Sequence, residues 1–162
     1  MDCYATHIPV LTTMLCNRDH GMNNPILEMG CGNYSSYTLG LYSGVASCKV
    51  FTLDEKQDWI NQFKHLETQS HSFQWVDKWE ECALIDEYYW SLVLVDHAPG
   101  ERRKFDIKRL ADRADYLVVH DTEEAGYEYE PVLSLFKYRF DYKVVRPWTT
   151  VVSNKYSLEF LK

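Results

Sequence analysis

A chain of 162 residues with 46% hydrophobic content has the size and apolar share of one globular domain with its own core. Its 17 basic and 24 acidic residues leave a net charge of -7, which disfavours a long contact with nucleic-acid phosphates and favours a small or neutral substrate. Five widely spaced cysteines (Cys3, Cys16, Cys31, Cys48, Cys82) without a C-x-x-C pair suggest neither a disulfide framework nor a zinc knuckle, and a reducing, cytoplasmic setting is expected. The start Met1-Asp2-Cys3 has no basic leader region, and no run reaches the roughly 18 apolar residues of a membrane span, so no membrane partner is expected.

In chain order, residues 8–20 read as a helix with Ile8, Leu11 and Leu15 on one face. Short apolar runs then mark seven strands at 26–29, 49–53, 72–76, 91–95, 116–119, 142–146 and 149–153. Between them Trp59, Ile60, Phe63 and Leu66 recur at helical spacing, and Val132, Leu133, Leu135 and Phe136 form a similar stripe after Pro131. Strands alternating with crossover helices predict an α/β protein with a largely parallel sheet. Only Pro147 and Trp148 separate the last two strands, too little chain for a crossover, so the seventh is expected to run antiparallel. The organisation expected is one domain over 1–162, an N-terminal helical segment (1–24) followed by a core (25–162).

The stretch Pro25-Ile26-Leu27-Glu28-Met29-Gly30-Cys31-Gly32-Asn33-Tyr34-Ser35-Ser36 is a buried strand, a glycine turn and two serines able to cap the next helix. Such a turn approaches a nucleoside closely. A dinucleotide site would place a third glycine where Ser35 stands, and its pyrophosphate would be repelled by Glu28. The carboxylate suits a phosphate-free cofactor with a cationic amino group and sulfonium.

These residues resemble the class I S-adenosylmethionine (SAM) dependent methyltransferases, whose first motif is an acidic residue and Gly-x-Gly after the first strand. The resemblance extends over nearly the whole chain, including the reversed seventh strand, and implies a Rossmann-like sheet with six parallel strands, helices on both faces and SAM as cofactor. It implies cofactor contacts from Glu28, Gly30, Cys31, Gly32, Asn33 and Ser35. It adds Asp54 on the ribose hydroxyls with Glu55 as the second choice, Asp77 near the adenine, and Asp96.

Ligands of open α/β sheets sit beyond the carboxyl ends of the strands. Strand four ends in Asp96-His97-Ala98-Pro99-Gly100-Glu101-Arg102-Arg103 and strand five in His120-Asp121-Thr122. Methyl transfer to an alcohol requires alignment with the sulfonium and loss of a proton, so Asp96, His97, His120 and Asp121 are the candidate bases or orienting groups. His7 is a secondary candidate. Asp96-His97 is similar to a segment of the magnesium-dependent catechol O-methyltransferases. That likeness implies Mg2+ held by Asp96 and Asp121, although Thr122 replaces their asparagine. Asp-x-x-Pro with Val-His-Asp also looks like plant O-methyltransferases acting on glucuronic acid in xylan, which would give Arg102 and Arg103 an acidic sugar to bind. Tyr127 and Tyr129 lie in an aromatic, acidic loop, and Tyr127 is a candidate for the acceptor pocket. The Asn-Pro-Pro-Tyr motif of amino-group methylation on nucleic acids is absent.

The function expected is O-methylation of a small or sugar-like acceptor. The alternatives are a SAM-binding module without catalysis, or a partner subunit, and third a dehydrogenase, for which no separate substrate domain is visible. The acceptor site is expected from the N-terminal segment and loops, or from a neighbouring subunit of a homo-oligomer.

Overall fold

The run Leu92-Val93-Leu94-Val95 has no polar position, a pattern that suits a strand covered on both faces. The computed structural model, which describes residues 5–18 and 24–162, places this run at the centre of a seven-stranded sheet. The strands are β1 (Ile26–Met29), β2 (Val50–Asp54), β3 (His71–Trp75), β4 (Leu92–Val95), β5 (Leu117–His120), β6 (Tyr138–Tyr142) and β7 (Thr149–Ser153). Their order is β3-β2-β1-β4-β5-β7-β6. β1 to β5 pair in parallel, whereas β7 is antiparallel to both β5 and β6. Six strands therefore share one direction and β7 opposes them, as expected.

Helices α1 (Ile8–Asn17), α2 (Ser35–Ala46), α3 (Gln57–Phe63), α4 (Leu84–Glu87), α5 (Arg103–Leu110) and α6 (Glu130–Leu133) surround the sheet. On one face α1 and α2 lay Leu11, Met14 and Leu39 over Ile26, Leu94 and Val118. On the other, Ile107, Leu110 and Leu133 join Trp79, Ile85 and Trp90 over Leu27, Val93 and Val95. Each such aliphatic side chain contributes roughly 1.5–3 kcal/mol relative to exposure. Because side chains alternate along a strand, Glu28 and Thr52 share the α1/α2 face with Ile26 and Val50. No helix among the described residues is long and apolar enough to cross a membrane.

Three details differ from expectation. β6 occupies 138–142 rather than 142–146, and residues 143–148 form a longer loop than the two-residue hairpin turn. Val144, which reads as strand interior, is 76% exposed, whereas β6 is half-buried along its whole length at the sheet edge and carries no alternation. The stripe after Pro131 is also shorter. α6 ends at Leu133, so Leu135 points to solvent while Val132, Leu133 and Phe136 remain buried. Of the helix expected at 8–20, α1 covers 8–17, and positions 19 and 20 lie outside the described residues.

Candidate functional site

Neighbouring connections leave β1 and β4 toward opposite ends of the sheet, which opens a crevice at their carboxyl ends. A cleft of about 570 Å³ lies there. Residues 30–35, Asp54, Glu55 and Trp59 line one end, and His7, Asp96, Arg103, His120 and Asp121 line the other.

The glycine turn is shaped by contact between strand ends. Gly30 has φ +93°, and a Cβ there would lie 2.6 Å from the Asp96 carbonyl oxygen and 2.7 Å from the His97 nitrogen. Its N–H donates to the Leu53 carbonyl at 2.8 Å. Gly32 N–H donates to Ser36 Oγ at 3.0 Å, and Ser36 Oγ donates to Glu28 at 2.9 Å. Ser36 thus works from within α2, whose first turn has no side-chain cap; the capping expected of the serines is replaced by this backward bond. Glu28 is fully buried beneath the turn and does not line the cleft. Burial pushes its carboxyl up to about 7, against the hydroxyl hydrogen bonds that favour the charged form.

Asp54, at the end of β2, is 5% exposed and faces the cleft. Its Oδ2 accepts the Cys31 N–H at 3.0 Å and its Oδ1 accepts the Lys56 N–H at 2.8 Å. Two backbone donors therefore fix the carboxylate while lone pairs on both oxygens remain. Burial and the neighbouring carboxylates, Asp54 first, push the Cys31 thiol up, so it stays protonated. Trp59 clamps the turn by donating its indole N–H to the Cys31 carbonyl. Asn33 and Tyr34 form the exposed rim, Ser35 is buried behind them, and Glu55 is half-buried beside Asp54. Asp77 is exposed and lies outside the cleft lining.

At the other end Arg103, the first residue of α5, reaches inward. Its guanidinium lies 3.1 Å from Asp96 Oδ1 and 2.9 Å from Asp121 Oδ2, and it donates to the carbonyls of Asp96, His97 and His120. His120 Nδ1 lies 3.2 Å from Asp96 Oδ1 and 3.4 Å from Asp121 Oδ1. His120 Nε2 lies 2.9 Å from Thr6 Oγ1, whose single proton goes to the Pro147 carbonyl at 2.8 Å. The hydroxyl must then accept from Nε2, and the carboxylates require a proton on Nδ1 as well, so this arrangement holds His120 as imidazolium. Burial alone would lower its pKa, but the Asp96 hydrogen bond and the charges of Asp96 and Asp121 raise it. Burial would raise Asp96, yet His120 and Arg103 hold its carboxyl below the usual range.

His7 completes this end. It is 2% exposed, sits edge-on to His120 with ring centroids 4.7 Å apart, and neither ring nitrogen has a hydrogen-bond partner among the described residues. Burial pushes its pKa down to about 4, so it is neutral at pH 7. No local motif marks His7, because its neighbours in space lie far along the chain.

Several sequence candidates fall elsewhere. His97 turns from the cleft, packs at a tilt against Trp79 with centroids 4.2 Å apart, and places Nε2 3.1 Å from Asp106. Arg102 pairs with Glu80 at 2.9 Å and Asp106 at 3.3 Å. The Tyr127 ring packs over Gly100 and lies 5.8 Å from the Arg103 guanidinium. The Mg2+ expected between Asp96 and Asp121 gains no support: both carboxylates already flank the Arg103 guanidinium, whose charge offsets the mutual repulsion that an ion between them would relieve.

No protein-family model and no curated protein matches this chain. Solved structures do. The METTL16 MTase domain aligns with a TM-score of 0.66 and 11% identity, over 95% of this chain and 68% of that one. The precorrin-6y C5,15-methyltransferase of Geobacter metallireducens GS-15 aligns with a TM-score of 0.63 and 12% identity, over 90% and 86%. The E81Q mutant of MtNAS in complex with S-adenosylmethionine aligns with a TM-score of 0.56 and 14% identity, over 94% and 63%. At these identities the likeness carries the fold, and the acceptor has to be argued from the residues of the cleft.

Proposed function

We propose that this chain, which carries the Rossmann-like fold of the methyltransferases it resembles, binds SAM and methylates an oxygen of a small acceptor. The observation that carries the reading is Asp54, a carboxylate pinned by two backbone N–H groups at the cleft wall beside the glycine turn. That carboxylate, with lone pairs to spare, suits a ribose diol, and Gly30 and Gly32 allow close approach to the backbone. The volume, about 570 Å³, falls within the roughly 300–1,000 Å³ of small-molecule sites. SAM, when bound, supplies an electrophilic methyl group on a sulfonium.

The chain's own residues would hold the acceptor opposite Asp54. Neutral His7 offers a ring nitrogen to a hydroxyl, while Arg103 and His120 keep the Asp96 carboxylate charged and in place. Arg102 and Arg103 are already paired with carboxylates, which disfavours the acidic sugar and supports a neutral acceptor.

Calorimetric titration of SAM into wild type and Asp54→Asn tests this. Asparagine keeps an acceptor for a backbone N–H but loses the charge, and the expected loss is roughly 1.5–3 kcal/mol, about ten- to a hundredfold in affinity. Equal affinities, or tight NAD binding in place of SAM, would defeat the assignment.

A further inference from the structure

We infer that His7, Asp96 and His120 form a binding site for a divalent transition metal at the acceptor end of the cleft. One ligand atom from each lies within 4.8 Å of the others, and all three residues line the same cleft. Two imidazoles and one carboxylate suit zinc, iron, cobalt or nickel. Magnesium prefers oxygen donors and keeps its water, so this site differs in place and chemistry from a pair of aspartates.

His7 supplies an independent observation. Native proteins rarely leave a buried polar atom without a partner, yet both its ring nitrogens lack one among the described residues while the ring is 2% exposed and packs against His120. A metal bound at one of them would satisfy it. His120 is prepared in another way. Its Nε2–H is held by Thr6 Oγ1, itself anchored on the Pro147 carbonyl, which leaves Nδ1 directed at Asp96. An outer hydrogen bond of this kind fixes the tautomer and aim of ligating histidines. The metal would replace the Nδ1 proton. On Asp96, Arg103 and His120 both engage Oδ1, which leaves Oδ2 for a metal, and Asp121 balances part of the Arg103 charge.

The ligands come from the segment before α1, the end of β4 and the end of β5, so they form three corners of a coordination shell. Its remaining positions open to the cleft. Metal binding rests on these three side chains alone; its use, gripping an acceptor oxygen, rests on the methyl-transfer reading.

The test is titration of chelator-treated, full-length protein with Co2+ by visible absorption and with Zn2+ by calorimetry, beside a SAM titration of the same metal-free protein. One equivalent per chain is expected, without a cobalt–thiolate charge-transfer band and without competition from millimolar Mg2+. His7→Phe, which keeps ring volume, and His120→Gln should each weaken binding at least tenfold, with circular dichroism confirming the fold. Absence of binding, a thiolate band, or His7→Phe binding metal as tightly as wild type would overturn the site. Metal binding without SAM binding would leave the site standing and remove the methyl-transfer reading; SAM binding without metal would do the reverse.

Discussion

Glu28 and His71 meet on one atom: the Thr52 hydroxyl oxygen lies 2.6 Å from the Glu28 carboxylate and 2.7 Å from His71 Nε2. Thr52 donates to Glu28, so it accepts from the imidazole, and the chain of bonds runs from β3 through β2 to the residue beneath the glycine turn. Burial shifts the two groups in opposite directions, Glu28 from 4.5 up to about 7 and His71 from 6.5 down to about 4.

The signs of the two linkages oppose each other. Between pH 4.5 and 7 folded Glu28 keeps a proton that the unfolded chain has lost, so its contribution to stability falls as pH rises. Between pH 4 and 6.5 unfolded His71 holds a proton that the folded chain lacks, so its contribution rises. Glu28→Gln leaves the histidine slope uncompensated. Urea unfolding at about pH 4.5, 5.5 and 6.5 should show the variant gaining stability over wild type by up to about 1.4 kcal/mol per pH unit. A constant offset between the two at all three values would contradict this pairing.

Gly30→Ala should cost about 2–5 kcal/mol and weaken SAM binding, because a positive φ and a clash with backbone act together. The new methyl would meet the Asp96 carbonyl and His97 nitrogen, which belong to the end of β4 and cannot swing aside as a flexible side chain would. Gly44 is the control: a methyl added there would meet none of the described residues within 4 Å, so Gly44→Ala should be tolerated. Thermal melts of the two variants give the comparison, and equal midpoints would contradict the close approach.

Arg103→Met should lower stability by about 3–5 kcal/mol, the cost of leaving buried charges and carbonyls without their donor. Arg103→Lys retains the charge but cannot reach Asp96, Asp121 and three carbonyls at once, so it should fall between methionine and wild type. Calorimetric melts at neutral pH measure this order, and a lysine variant as stable as wild type would show that charge alone matters.

The sheet was legible because its inner strands are short, rich in apolar residues and punctuated at their carboxyl ends by Gly30, Asp54, Asp96 and His120. β6 was not, because an edge strand half-buried throughout has no burial contrast, while Val144 and Val145 imitate a strand in an exposed loop. Arg103 read, with Arg102, as a candidate for binding an acidic sugar; only the fold shows carboxylates from two strand ends converging on it. His7 ranked only as a secondary candidate from sequence, since its significance comes from packing against His120 rather than from any neighbour in the chain.

The Thr6 hydroxyl bonds to groups 114 and 141 positions further along the chain. During synthesis, therefore, Thr6 leaves the ribosome well before His120 and Pro147 and waits for these partners until both have followed. The glycine turn and Asp54 have their partners by residue 56 and the end of β4, whereas the histidine end of the cleft closes only when the loop before β7 arrives. The two halves of the cleft mature in order, and the half that would choose the acceptor is completed last.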